Sequence, residues 1–333
     1  MKIGLSYDIK PQVPQTEGLP ADEFEEYDSP ETIDAIVAVI NSAGHQAIKL
    51  GGGSDFLNCV MREKPDLVFN IAEGLGNYRS REAQVPSVLE MLGIPYSGSD
   101  PLTLSLCLEK SLTKQLVAAV GVDTPEWRII NTIEELESCN WGSFPFPVFI
   151  KPVHEGSSKG IRNASRADDV PTLKKMVAQQ LCLYAQPVMV ERFIPGDEVT
   201  VGLLGNDPTR VVGVMRVLPR HAGVDFVYSL EIKRNWQEMV QYECPAVLDA
   251  AVLQKIEKSC LLAFKTLGIR DMARMDFRVA GDGTPYFLEV NPLPGLNPMS
   301  GDLIIMTQAL GWSYEKLING ILNAAIRRYN FGL

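Results

Sequence analysis

The chain lacks most of the signatures that would classify it at once. It has no Gly-x-Gly-x-x-Gly run, so a dinucleotide site is not implied. It has no GxxxxGK[ST] run either, which excludes the P-loop way of cradling phosphates. Its six cysteines (Cys59, Cys107, Cys139, Cys182, Cys244 and Cys260) are scattered without CxxC spacing, and its three histidines are equally dispersed. That pattern argues against a zinc site or a disulfide framework. The cysteines read as small buried apolar residues in a reducing compartment. No apolar run approaches membrane-spanning length. The stretch Met1–Asp8 reads as a strand that breaks off early, without a signal-peptide layout. A cytoplasmic location with no membrane partner is therefore expected. Net charge is −10 and no basic block stands out, so no nucleic-acid partner is expected. Neither an internal repeat nor a low-complexity segment is present.

What remains is an ordinary globular composition. The chain has 333 residues, 46% hydrophobic and 22% charged, which suits two or three domains. Residues 1–100 alternate strand and helix signals. Lys2–Ser6, Ala47–Leu50 and Leu67–Ile71 read as strands. Ser29-Pro30 opens a helix with Ser as cap and Pro in the first turn. Ile33, Ile36, Val37 and Ile40 form its apolar stripe, and Gly44 ends it. Gly51-Gly52-Gly53 reads as a loop, and Ala83–Leu92 as a helix ended by Gly93. This is a small α/β unit of Rossmann-like character. Residues 101–125 read as one helix carrying Lys110 and Lys114. Pro145–Lys151, Val188–Phe193, Glu198–Leu204 and Val211–Leu218 read as strands. A long helix striped by Leu248, Val252, Ile256, Cys260, Phe264 and Leu267 ends at Gly268. Ser313 caps a last helix, with Leu317, Ile318, Ile321 and Leu322 facing inward. The acidic stretch Asp8–Asp28 reads as a long, mobile loop beside a ligand mouth.

The most informative feature is a hairpin. Arg274–Val279 and Tyr286–Asn291 are strand-like runs, and Ala280–Pro285 between them reads as a turn around Asp282-Gly283. Folding symmetrically about that pair sets Asp276 opposite Glu289 and Arg274 opposite Asn291. Alternation puts these four on one face and Met275, Phe277, Val279, Tyr286, Leu288 and Val290 on the other, apolar face. Carboxylates directly across a ladder lie roughly 4.5–5.5 Å apart at Cβ and repel. A hard divalent cation resolves that conflict, and one or two carboxylates completed by substrate phosphates are what Mg²⁺ selects. A half-buried pair with a polar outer face would explain the alternation, but not two opposed carboxylates between an Arg and an Asn.

Other features are weaker singly. Gly156-Ser157-Ser158-Lys159-Gly160 follows a strand that carries Lys151. Glycine amides and serine hydroxyls there can approach phosphate oxygens, although a surface turn is the simpler reading in isolation. Lys151 could cap phosphates. Glu191 and Glu198 sit at strand ends, where a carboxylate can accept from an adenine amine or from ribose hydroxyls. Gly295, in Asn291-Pro292-Leu293-Pro294-Gly295, follows the hairpin. Its N–H could point at a reacting acyl oxygen together with Arg274.

Taken in order, Lys114, Lys151, the Gly-Ser-Ser loop, Glu191, Glu198, Arg274-x-Asp276 and Glu289-x-Asn291 resemble the ATP-grasp superfamily, and within it the D-alanine–D-alanine ligases. The resemblance runs from about Pro65 onward. It is carried by Ile150-Lys151-Pro152 with Glu155–Ser158, Glu191-Arg192-Phe193 with Gly196, and Ala273–Asp276 with Leu288–Asn291. Leu92–Ser99 matches the end of the family's first domain. The resemblance implies an ATP-grasp fold of α/β class, α+β in its C-terminal part. A Rossmann-like domain over 1–105 would be followed by a central subdomain over 106–190 and a C-terminal metal-bearing domain over 191–333, with ATP gripped between two antiparallel sheets. Lys114 and Lys151 would contact ATP phosphates and Glu191 and Glu198 the adenosine, with Ser158 and Lys233 also binding ATP. Asp276, Glu289 and Asn291 would hold two Mg²⁺ ions, with Mn²⁺ as a possible substitute. Arg274 and the Gly295 N–H would stabilise a tetrahedral intermediate, Ser157 would order the substrates, and Ser300 would contact the second amino acid's carboxylate. Homodimers are common in such a family.

The chain departs from the family where the first substrate binds. Tyr7-Asp8-Ile9-Lys10 and an acidic insertion replace a Gly-Gly loop and its ammonium-binding Glu. Glu25, Glu26 or Glu31 could substitute. Glu73-Gly74 stands where the family has His-Gly, and Arg234 replaces a Tyr in the lid around 219–240. The expected activity is ATP-dependent ligation of a carboxylate to an amine, on amino-acid or peptide substrates, with Glu73, Arg79 and Arg234 shaping the first pocket. The two arginines suggest a carboxylate-bearing substrate. The alternatives are D-alanyl-D-alanine synthesis for the cell wall, a non-catalytic ATP-binding regulator, or a kinase-like phosphotransferase.

Overall fold

The structure, a computed structural model, describes residues 1–11, 20–162, 164–220 and 226–330. Residues 12–19 of the expected Asp8–Asp28 loop and 221–225 of the expected lid lie outside the described residues.

Among the described residues three sheets organise the chain. The first is parallel, in the order β2 (Gln46–Gly51), β1 (Lys2–Ser6), β3 (Leu67–Asn70). Its apolar strand residues pack on the helix Pro30–Ser42, where Ser29 accepts from the Thr32 N–H and Ile33, Ile36 and Ile40 are buried. The final helix, Tyr314–Arg328, shares that core through Leu317, Ile318, Ile321 and Leu322, so the two ends of the chain are packed together. The glycine triplet is not a plain loop. Gly51 ends β2, and Gly53 begins a helix, Gly53–Glu63. A Cβ on Gly52 would lie 2.0 Å from the Asp8 carboxylate, so glycine is required there.

The second sheet is antiparallel: β4 (Trp127–Ile130), β7 (Val188–Arg192), β5 (Val148–Pro152), β6 (Arg166–Ala167). The third is also antiparallel: β10 (Val240–Glu243), β9 (Arg210–Pro219), β8 (Gly196–Leu204), β11 (Met272–Ala280), β12 (Pro285–Asn291). The helix Ala250–Leu267 covers the third sheet with Val252, Ile256, Cys260 and Phe264, and Gly268 ends it at φ 70°.

Two corrections concern the site directly. The helix expected over 101–125 is two helices, Pro101–Leu108 and Lys110–Ala119, broken at Glu109 with ψ 88°. The break turns Lys110 and Lys114, one turn apart, inward to full or near-full burial. The hairpin pairs Asp276 with Glu289 and Arg274 with Asn291 as expected, but a bulge follows, and Phe277 pairs with Phe287. The extra residue in β12 switches its faces. Phe287 and Val290 enter the core, whereas Leu288, expected there, lines a cavity beside Glu289. The cysteines are all free, but only Cys107 and Cys260 are buried, and Cys182 is exposed.

Asp271 locks the sheets together. It is fully buried and accepts from the Gly98 N–H at 2.8 Å, the Asn206 amide at 2.8 Å and Arg328 at 2.8 Å. Asp271→Asn keeps the shape but leaves the Arg328 charge without its partner. It should cost about 3 kcal/mol in a urea melt, whereas a loss below ~1 kcal/mol would show that the lock is dispensable.

Candidate active site

The second and third sheets face each other across a cleft. Lys151 (β5), Glu191 (β7), Glu198 (β8), Asp276 (β11) and Glu289 (β12) all line it, with Ser158 and Lys233. Glu191 is buried between two ammonium groups, Lys114 at 2.9 Å and Lys151 at 2.7 Å. Burial lowers the Lys114 pKa to about 8, with Lys151 adding to the fall and Glu191 opposing it. Lys151 responds oppositely. Burial works against its charge, but Glu191 and Glu289 outweigh that and raise it. Glu198 lies in register with Arg278 and accepts from it at 3.0 Å, and burial raises its pKa.

Asp276 and Glu289 face each other across β11 and β12. Arg274 grips Asp276 at 3.0 Å and reaches Asp302 at 3.4 Å; Thr200 also donates to Asp276. Lys110 lies 3.7 Å from Glu289. Burial opposes the charge on Glu289, but Lys110, Lys151, Arg274 and Lys233 together hold its pKa at about 2. Among the described residues no group of three or more His, Cys, Asp or Glu is arranged to hold an ion. The donor set is two carboxylates and the Asn291 amide. That suits Mg²⁺ only if phosphate oxygens and water complete the shell, and ionised Glu289 fits such a role.

The cleft holds only about 60 Å³ of free space, which is room for a couple of waters. Val227, Tyr228 and Lys233, from the described part of the segment expected to form a lid, also line it. Lys233 lies 4.9 Å from the Tyr228 ring centre, and the Tyr228 hydroxyl donates to Asp302 at 3.0 Å. The lid is thereby tied to the carboxylate that holds Arg274.

A larger cavity of about 440 Å³ adjoins, with Lys233 common to both. Arg274, Asn291, Gly295, Ser157 and Ser300 line it. The same wall carries the carboxyls Glu25, Glu26, Asp28, Glu73 and Glu82, with Lys10 and Arg234 among them. Glu26 is committed to Arg81 at 2.8 Å and lies 3.6 Å from Lys159. Glu25 takes Arg234 at 2.7 Å. Glu31 is exposed and lines neither cavity. Arg79 stands apart in the same way, exposed and off both walls; it is the sequence-expected substrate residue that the fold does not bring to the site. Glycine amides expected for phosphate are otherwise engaged. The Gly156 N–H donates to Glu26, and the Gly160 N–H to Asp22 at 3.0 Å. Asp22 is buried and also accepts from the Tyr184 hydroxyl at 3.0 Å. The described end of the acidic stretch is thus anchored to the Gly-Ser-Ser loop, contrary to the mobile loop expected there.

Lys110, Arg81, Glu82, Lys159 and Asp302 were not singled out by the sequence reading. Lys110 lies one helical turn before Lys114, and Glu155 and Lys159 flank the loop serines at i, i+4, forming a 2.7 Å pair. Those spacings were visible signals.

Comparison with known proteins agrees with this geometry. Residues 116–323 match the model of the D-Ala-D-Ala ligase C-terminus. A D-alanine–D-alanine ligase of Aquifex aeolicus is 31% identical over 288 residues, covering 86% of this chain and 92% of that one. The chain belongs to the D-alanine–D-alanine ligase family. As a member of that family it has the ATP-grasp fold and is an ATP-dependent ligase acting on small molecules. An uncharacterised protein of Sinorhizobium fredii is 33% identical over 306 residues, covering 89% of this chain and 88% of that one. The D-alanine–D-alanine ligase of Bacillus anthracis, solved with ATP, superposes with a TM-score of 0.76 at 24% identity over 98% of both chains. A D-Ala:D-Ser ligase of Enterococcus faecalis gives 0.71 at 23% identity over 97% of this chain and 99% of that one, a likeness of fold. No helix among the described residues is long and apolar enough to cross a membrane.

The acidic wall gives a pH signature. Burial raises Glu82 from 4.5 to about 7 and Asp28 from 3.8 to about 7. A carboxyl raised on folding contributes stability that is full below its unfolded pKa and is lost as pH rises through the folded one. The ligand-free protein should therefore melt at falling temperature from about pH 5 to pH 8, with a shallower slope in Glu82→Gln. A flat profile in the wild type would contradict the burial of these groups.

Proposed function

We propose that this ligase joins a carboxylate to an amine through an acyl phosphate, and that its first substrate is not D-alanine. The observation that carries this reading is the adjacency of the two cavities, which share Lys233 in their linings. Lys151, Glu191, Asp276 and Glu289 line the cleft between the sheets, and Arg274, Asn291 and Gly295 line the chamber next to it.

In the proposed reaction ATP enters the cleft with its adenosine toward Glu191 and Glu198 and its phosphates toward Lys114, Lys151, Ser158 and Lys233. Asp276, Glu289 and Asn291 would hold two Mg²⁺ ions, or Mn²⁺; when bound, these supply positive charge against the phosphate oxygens. A carboxylate oxygen of the first substrate attacks the γ-phosphorus. The bond to the ADP oxygen breaks, and the electron pair leaves with ADP. A neutral amine then attacks the acyl carbonyl, and Arg274 with the Gly295 N–H stabilises the oxyanion. Collapse expels phosphate with the C–O electron pair, and the nitrogen loses its proton to give the amide. Ser157 orders the reactants, and Ser300 meets the second substrate's carboxylate. The lid excludes water, which would otherwise hydrolyse the acyl phosphate.

The departure from D-alanine rests on the acidic wall, where Glu73 and Glu82 face the chamber. The arginines expected to favour a carboxylate-bearing first substrate do not support one, because Arg234 is paired with Glu25 and Arg79 is off the wall. Phosphate release from ATP, assayed over single and paired amino acids of both chiralities with products weighed by mass spectrometry, tests the reading. Release that requires two substrates and yields an amide is expected; full activity with D-alanine alone defeats the substrate claim. Asp276→Asn should lower turnover at least about a hundredfold and weaken Mg²⁺-dependent ATP binding in calorimetry, with the melting temperature little changed. Retained turnover would remove the metal assignment.

A further inference from the structure

Asp28, Glu73 and Glu82 line the large chamber, and none makes an ion pair among the described residues. Lys10, in the same lining, bears on Asp28, and Arg81 on Glu73 and Glu82, without pairing with them. Glu82 is the decisive member. It is 4% exposed, and its Oε2 has no hydrogen-bond partner. A buried carboxylate in that condition is costly unless something pairs with it.

Arg81 and Lys110 bear on Glu82, but neither forms an ion pair with it among the described residues. Arg81, its chain neighbour, spends its guanidinium on Glu26 at 2.8 Å, Glu155 at 3.2 Å and the His154 carbonyl at 2.8 Å. Lys159 is held by Glu155 at 2.7 Å. Lys110 donates to the Glu155 carbonyl and lies 3.7 Å from Glu289. Each cation is turned toward another acceptor, and the free carboxyl faces the chamber.

We infer that the substrate held in this chamber carries two cationic groups, its α-ammonium and a basic side chain, with its carboxylate directed at Arg274. This rests on the ligase reading above and narrows its first substrate to the diamino acids. One ammonium offsets one of the acidic charges. A second offsets another, and the remaining carboxyl can stay protonated. A hydrocarbon side chain would leave Glu82 buried and unpaired, and an acidic one would add repulsion.

Ornithine and norvaline separate these cases, because they differ in a terminal ammonium on the same carbon chain. Calorimetric titration of the full chain, in the presence of ATP and Mg²⁺, would compare both enantiomers of each, with glutamate as the acidic control. One ornithine enantiomer should bind at least tenfold more tightly than norvaline. The preference should shrink to within threefold in Glu82→Gln and weaken in Glu73→Gln, while the melting temperature of each variant shows that it folds. Equal or tighter binding of norvaline or glutamate, no binding by either ornithine, or a preference untouched by Glu82→Gln would each overturn the inference. Product analysis distinguishes the two readings. Amide formed from a neutral first substrate leaves the ligase standing and removes the diamino preference. Ornithine selectivity with no amide from any amine does the reverse.

Discussion

The site depends on one electrostatic constraint: Asp276 and Glu289 are held directly opposite each other by strand pairing. Backbone hydrogen bonds impose that proximity, so the side chains cannot relax it by moving apart. The surroundings answer with cations. Arg274 takes Asp276, and Lys110, Lys151 and Lys233 bear on Glu289. Each cation comes from a different part of the chain, and each then needs its own balance. Lys151 finds it in Glu191, which also holds Lys114; Arg274 finds it in Asp302, which anchors Tyr228 of the lid. The pair thus propagates a charge requirement through both sheets and into the lid.

How much of this was legible follows from how local each requirement is. Opposed carboxylates on a hairpin depend on alternation and a turn, so their pairing could be read directly. The bulge could not, because it depends on which of Phe287 and Leu288 fills the core beside Phe277, a matter of packing between distant segments. The helix break at Glu109 carries neither Pro nor Gly. It is set by tertiary contacts, among them the Lys110 N–H donating to the Val153 carbonyl at 3.4 Å. The helix Gly53–Glu63 was hidden behind a glycine triplet that serves Asp8, a residue more than forty positions earlier in the chain.

The substrate chamber was least legible, for a related reason. Its polarity depends on which charges are already spent. Arg234 is a cation in the sequence and half of a 2.7 Å ion pair with Glu25 in the fold. Arg81, which no motif marks in the sequence, is 3% exposed and joins Glu26 to Glu155. Counting charges along the chain suggested a pocket for an anion. Subtracting the pairs leaves an acidic wall, and the sign of the expected partner reverses.

The same subtraction applies to the cleft between the second and third sheets, which holds about 60 Å³ of free space. Lys114 and Lys151, proposed for phosphates, are both paired with Glu191. Buried ammonium groups need an anion whether or not the nucleotide is bound, and in this state a protein carboxylate supplies it. On the proposed reading, ATP phosphates would compete with Glu191 for both lysines, so part of their binding energy would be consumed by that exchange. Tyr228 reaches Arg274 through Asp302, so any movement of Tyr228 would also bear on the arginine proposed to meet the oxyanion. Charge pairing therefore links the cleft to the proposed reaction centre.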